Sequence, residues 1–301
     1  MPAFELVANY TTLARRGVRA VEFENRIIFA GGYDGTNYLN DVWASQEGVK
    51  YTELTTGTGS FSKRSNFGMV VHDNRIFVIG GYNGSGMQDV WSSPDGNTWT
   101  QISASASFGA RHDFMVYSYN GYIWVMGGYG TAFGVLRDCW NSRDGVNWNL
   151  VGSNNNLCRG GAAYCVYDNK MWFATGYGGV NSALLRDCWY TVDGSNFVQT
   201  ESKLPAVMYA SMTKFDSKMV LIGGDTTSRQ NTASKNLWYS HNGSNWIDSV
   251  SPVGFSVIDH AALAFTHQQR MYVLMGYDGA AYKGNIWKTL GVEFRDRTFT
   301  L

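Results

Sequence analysis

The sequence predicts an all-β protein, a six-bladed β-propeller of four-stranded antiparallel blades. Three observations carry this. A tryptophan recurs at Trp43, Trp91, Trp140, Trp189, Trp238 and Trp287, spaced by 48 residues once and by 49 four times. A turn glycine follows each one, at Gly48, Gly96, Gly145, Gly194, Gly243 and Gly291. Each period also holds two short-turn signals between apolar runs. Self-similarity at about 50 residues, with four short strands per period, marks a propeller with one sheet per blade.

The unit from Arg64 to Trp99 shows the elements in order. Met69-Val70-Val71 is strand a, and Asp73-Asn74 is a two-residue hairpin turn. Ile76-Phe77-Val78-Ile79 is strand b, continuously apolar because both faces of a stacked blade are covered. Gly80-Gly81 ends it where the chain must turn sharply without a Cβ, and Tyr82 follows. After a polar loop, Asp89-Val90-Trp91 is strand c. Asp95-Gly96 is the second hairpin turn, leading into strand d with Trp99. The repeated tryptophan is expected to pack between neighbouring blades. One strand more than six blades need is present, since Phe4-Glu5-Leu6-Val7 resembles strand d as Gly291 to Phe294 does. The apolar Leu6 and Val7 favour the N-terminal copy as the strand that closes blade 6.

The hairpin turn, the glycine pair, and the tryptophan and aromatic eight residues apart resemble the kelch repeat family. The resemblance covers nearly the whole chain and implies a propeller. It implies little about activity, because kelch propellers include partner-binding modules, sugar-acid isomerases and copper oxidases. The two tyrosines, two histidines and cysteine of the copper oxidases cannot be placed here. The iron-site spacing of the plant kelch specifier proteins is absent as well. Ser93 to Trp99 and Ser142 to Trp148 resemble a shortened sialidase Asp-box, which is a structural turn.

Length alone, 301 residues, suggests about two domains. The repeat overrides this: a lone blade cannot bury its faces, so residues 1–301 are expected to form one domain. Lys and Arg number 24, as do Asp and Glu, which argues against nucleic-acid or anionic-membrane partners held by bulk charge. No apolar run reaches the roughly 18 residues of a membrane helix. Met1 to Glu5 lacks a basic start followed by an apolar run, so a cytoplasmic location is expected, with a virion or extracellular setting as the alternative. The four cysteines read as small buried hydrophobes rather than a disulfide framework; Cys139 and Cys188 share one core position of strand c.

Meander order sorts the loops onto two faces. The a–b and c–d turns form a tight face that offers little to bind with. The d–a and b–c loops form the other, with b–c loops at 34–40, 83–88, 130–137, 178–186, 225–235 and 278–284. Function in repeat scaffolds usually sits on such a variable face. Two positional rings lie there. Arg15, Arg64, Arg111 and Arg159 pair in pattern with Asp41, Asp89, Asp138 and Asp187, and both members are missing from blades 5 and 6. Joint loss suggests salt-bridge partners; an arginine-lined mouth for an anionic ligand is the other reading. The second ring is Tyr33, Tyr82, Tyr129, Tyr177 and Tyr277, with Asp225 as the exception.

No catalytic pair emerges. Of five histidines only His112 and His260 fall near the long-loop face, in blades 3 and 6, on opposite sides of a six-blade ring. No metal set and no cofactor are expected. The sequence therefore predicts a non-catalytic scaffold for a protein or peptide, with a carbohydrate-binding propeller as the alternative and a sugar-acid enzyme third. The predicted ligand residues are Tyr33, Tyr82, Tyr129, Tyr177, Tyr277, Arg64, Arg111, Asp225 and His260.

Overall fold

A computed structural model describes residues 4–55, 60–131, 134–178, 183–227, 237–249 and 263–291. Six four-stranded antiparallel sheets and one three-stranded sheet are present among them. Blade 2 is representative, with strands a to d at Gly68–His72, Arg75–Tyr82, Gly86–Ser93 and Thr100–Ser103. The a strands touch one another in cyclic order, and that of blade 6, Leu263–His267, meets that of blade 1, Arg19–Phe23, so the six blades close into one ring.

The hairpin turns form as their residues dictate. Asp73 and Asn74 have φ of 44° and 52°, and Asp168 and Asn169 have 48° and 51°, the doubly left-handed turn that matches strand twist. In the c–d turn the Ser93 hydroxyl accepts from the Gly96 N–H at 2.8 Å, and Asp95 accepts from Asn97 and Thr98. The same arrangement recurs at Ser142 and Asp144, which makes the Asp-box-like stretch a structural turn.

The core is divided into six apolar clusters, one at each blade–blade contact. Ile76, Phe77, Val78 and Ile79 are all buried, as a strand covered on both faces requires. The repeated tryptophans sit at these contacts but are only partly buried. The strand-d aromatics go deeper: Trp99, Trp148 and Trp246 are buried and donate their indole N–H to the carbonyls of Gly96, Gly145 and Gly243. The cysteines are free, and burial pushes the Cys139 and Cys188 thiols up to about 12.

The N-terminal strand Phe4–Asn9 completes blade 6, antiparallel to Tyr282–Thr289 with Leu6 opposite Trp287. Its anchor is Phe4, buried among Phe215, Val220, Ile222, Leu237, Met271 and Val273. Leu6 itself is 48% exposed at the outer edge.

On the tight face, residues that end strand a staple blades 2, 3, 4 and 6 to the blade that follows. His72 reaches Ser118 Oγ at 3.0 Å and the Arg143 carbonyl at 3.1 Å, and Tyr119 donates to the Asn169 carbonyl at 2.7 Å. His267 Nε2 lies 2.8 Å from the Gln46 carbonyl, across the closure between blades 6 and 1. This face is not featureless. A cavity of about 660 Å³ opens at that end of the channel, lined by Glu22, Cys165, Thr213, Lys214, Phe265 and Thr266 among others.

Candidate functional site

The arginines lie beneath the long-loop face, not on it. Arg64 is fully buried and sends its two terminal nitrogens to the two oxygens of Asp89 at 2.8 and 2.7 Å. It also donates to the Gly80 carbonyl at 2.8 Å, sixteen residues on, and lies over the Phe61 ring. Arg111 repeats this with Asp138, Gly127 and Phe108, and Arg15–Asp41 and Arg159–Asp187 are built alike. Each aspartate accepts one further bond at 2.7 Å, from the indole of the tryptophan two residues later.

Arg, Asp and Trp are thus one unit, locking strand a to strand c within a blade. Burial alone would raise the Asp89, Asp138 and Asp187 carboxyls, but their arginines outweigh it and hold them below the usual range. The expectation that Arg64 and Arg111 contact ligand is therefore corrected: their donors face inward and are desolvated. In blade 5 the unit is dismantled, with the buried Val207 in the arginine's place and the Trp238 indole N–H buried without a partner.

The tyrosines do reach the mouth. Tyr33, Tyr82, Tyr129, Tyr177 and Tyr277 are all half-buried at the ends of strand b or just beyond it. Tyr33, Tyr82, Tyr129 and Tyr177 are bridged to the residue that follows the arginine of their blade, Arg16, Ser65, His112 and Gly160. Their rings form a continuous arc. Tyr277 contacts Tyr282 at 4.9 Å between centroids, Tyr282 contacts Tyr33 at 6.1 Å, and Tyr33 contacts Tyr38 at 5.0 Å. Tyr38 meets Tyr82 at 5.9 Å, Tyr82 meets His112 at 4.9 Å, and His112 meets Tyr129 at 5.5 Å.

The Tyr129 ring then leans over Gly160, where a Cβ would come within 2.1 Å of it, and its hydroxyl donates to the Tyr177 carbonyl at 3.4 Å. Tyr38 and Tyr282 escaped the sequence reading, although each is the direct cross-strand partner of a predicted tyrosine. The signal was a tyrosine pair spaced five apart across one hairpin, present in blades 1 and 6. Arg16 stands inside the arc, 5.8 Å from the Tyr33 centroid, 5.7 Å from Tyr277 and 5.9 Å from Tyr282.

The floor of the mouth is a backbone girdle. Gly17, Asn66, Asp113, Gly161 and Tyr209 occupy one repeat position and share a φ between 54° and 64°. The N–H of each bonds the carbonyl of the one before: Asn66 to Gly17, Asp113 to Asn66, Gly161 to Asp113, and Tyr209 to Gly161. Gly17 and Gly161 are glycine for a steric reason. A Cβ on Gly17 would strike the Asn66 side chain, and one on Gly161 would press the Tyr209 ring at 3.0 Å. Asn66 and Tyr209 therefore lean over the glycines and close the floor.

At its centre His112 Nδ1 donates to Asp113 Oδ2 at 2.9 Å, and the Tyr209 hydroxyl and Asn66 Nδ2 each lie 3.4 Å from the same oxygen. Burial, then the Asp113 charge, push the Tyr129 and Tyr209 phenols up. Asp225, the exception in the tyrosine ring, is fully buried; its Oδ1 accepts from the Thr227 N–H and hydroxyl and shapes its own loop, while its Oδ2 is buried without a hydrogen bond. His260 lies outside the described residues. Among the described residues no three His, Cys, Asp or Glu side chains gather as a metal set.

Six four-stranded antiparallel blades closed into one ring define a six-bladed β-propeller. Residues 63–104, which span blade 2, match the Kelch motif family. No curated protein matches the chain in sequence. The solved structure entitled "Structure of YjhT" superposes with a TM-score of 0.78, covering 97% of this chain and 98% of that one at 14% identity. The likeness is one of fold. The chain is a six-bladed β-propeller whose second blade carries a Kelch motif.

Proposed function

We propose that this protein is a non-catalytic binding propeller whose long-loop mouth holds a peptide segment of a partner protein. The observation that supports it most is the tyrosine arc. Tyrosine gives large amphipathic contact at low entropic cost, since only two side-chain torsions must be fixed. Here they are fixed in advance: Tyr33 donates its hydroxyl to the Gly35 carbonyl at 2.8 Å and Tyr277 to that of Gly279 at 3.0 Å. Tyr282 meets Tyr33 and Tyr38 meets Tyr82 edge to face, so in each pair one ring's edge occupies a face that a pyranose would need for stacking. Clefts between tilted rings suit side chains projecting from an extended peptide. The polar floor of Asn66, Asp113 and Tyr209 favours a second reading, a glycan whose hydroxyls bond there.

The test is selection from a displayed peptide library, run beside a glycan array. A selected peptide should bind wild type and lose at least tenfold in affinity, about 1.4 kcal/mol, with Tyr277→Ala plus Tyr82→Ala. Asp73→Gly and Asn120→Gly, in the tight turns, should leave it unchanged. A glycan hit without peptide enrichment replaces the partner class. Loss of binding with the turn variants moves the site to the other face.

A further inference from the structure

Among the described residues, two carboxylates on the long-loop side each leave one oxygen buried without a hydrogen bond, Asp113 Oδ1 and Asp225 Oδ2, and of the two only Asp113 belongs to the girdle at the floor of the mouth. Asp113 is 4% exposed, and while Oδ2 is contacted by His112, Tyr209 and Asn66, Oδ1 is buried without a hydrogen bond. Leaving a buried acceptor unsatisfied costs about 1–3 kcal/mol, and more when it is charged. Natural proteins retain few such groups, and each asks for an explanation.

The fold does not supply one. The girdle is made by the N–H and carbonyl of Asp113, and the same position is Gly17 and Gly161 in blades 1 and 4 and Asn66 in blade 2. Asparagine would keep the left-handed backbone and the shape while removing the charge. An aspartate kept at that cost, at the floor of an aromatic cup, is a binding group.

We propose that Asp113 is the counter-charge for a primary ammonium group of the bound partner, taken into the cup beside Tyr129 and Tyr209. The proposal rests on the peptide-binding reading and names what the mouth recognises in the peptide: a lysine side chain or an N-terminal amine. An ammonium has three donors and no acceptor, so it satisfies Oδ1 without competing for the donors already on Oδ2. Phenol faces beside it add cation–π attraction in a desolvated place. A divalent metal is the wrong cation, because calcium takes six to eight oxygens and no second carboxylate stands with Asp113 in a metal set among the described residues. Burial, and after it the Asp113 charge, pushes the pKa of both flanking phenols up, so they stay neutral beside the cation.

The experiment is an amide NMR titration of the whole chain with three small probes. n-Butylammonium stands for a lysine side chain, glycinamide for an N-terminal amine, and 1-pentanol is the neutral control. Saturable shifts at Asp113, Gly161 and Tyr209 are expected with one of the two amines, and which one identifies the source. Asp113→Asn should weaken that binding about tenfold to a hundredfold, the range of one hydrogen bond to a charged group. Absence of saturable shifts with either amine overturns the proposal. So does equal binding of pentanol, or equal binding by Asp113→Asn. If the variant does not fold, the amine-against-pentanol comparison on wild type decides alone. The probes need no selected peptide: silent amines leave a peptide hit standing, and failed peptide selection leaves an amine result standing.

Discussion

Arg111 and Asp138 meet through two parallel hydrogen bonds of 2.9 Å inside blade 3, while the neighbouring blade's Asp89 is taken by Arg64. The joint is therefore internal to each blade, and its third member is the indole of Trp140. In blades 1 to 4 the tryptophan places an N–H on the aspartate as well as a ring at the blade contact, whereas in blades 5 and 6, where the aspartate is missing, the ring is retained at the contact.

Arg111→Met should destabilise the protein by about 3 kcal/mol or more, because it leaves Asp138 half-buried without its partner. A double-mutant cycle with Asp138→Leu should show coupling of about 1–3 kcal/mol, and a cycle with Asp89→Leu should be additive within about 0.5 kcal/mol. Denaturant unfolding measures both. Coupling to Asp89 instead would mean that the blades are locked to one another.

The same joints set the acid limit. Asp89, Asp138 and Asp187 are held below the ordinary carboxylate value of 3.8, and the turn residue Asp193 is held down to about 2 by backbone N–H groups. A depressed folded pKa stabilises above the unfolded value and loses that contribution as pH falls through the folded value. Stability from these groups should be constant from about pH 5 upward and decline below about pH 4. Urea midpoints between about pH 2.5 and 7 check this, and Arg111→Met with Asp138→Leu should flatten the acid limb. An unchanged slope in that double variant would remove the pair from the account.

Much of the fold was legible because it repeats. The tryptophan and the glycine that follows strand b recur in every blade, and the hairpin turns recur in position, since each blade solves the same steric problem. The arginine–aspartate joint was legible for the same reason, through its joint loss in blades 5 and 6. The girdle was not. Gly17, Asn66, Asp113, Gly161 and Tyr209 share a backbone conformation and a hydrogen-bond pattern, but no side chain. Backbone hydrogen bonds leave no trace in composition, so the position reads as variation. Burial misled as well: Arg64 and Arg111 were assigned to the mouth by their place in the loop, and only the fold shows their forks turned inward.

Ring closure rests on Phe4. Its ring fills a pocket between blades 5 and 6, and the strand that carries it covers the edge of Tyr282–Thr289. Phe4→Ala should cost about 3–5 kcal/mol, in the range of large-to-small aromatic changes. Deleting residues 1–9 should cost more, because it also strips the hydrogen bonds along that edge. Differential scanning calorimetry on both variants tests this. A melting temperature within a degree of wild type for the deletion would show that blade 6 closes without the N-terminal strand.

Gly160 separates the role of the mouth from the role of the core. Its own backbone does not require glycine, since its φ is outside the left-handed region; what excludes a side chain is the Tyr129 ring, 2.1 Å from a Cβ there. Gly160→Ala must therefore displace Tyr129, breaking its hydroxyl contact with the Tyr177 carbonyl and its packing on His112. The expected stability loss is about 1–3 kcal/mol, typical of overpacking. Pairing Gly160→Ala with Tyr129→Ala removes the clash, so it should recover stability relative to Gly160→Ala alone. It should not recover affinity for a peptide selected on wild type, because the arc is then interrupted between blades 3 and 4. Calorimetric melting and a fluorescence titration with that peptide give the two readouts on the same proteins. Recovery of both together would mean that Tyr129 only fills space and that the arc ends at His112.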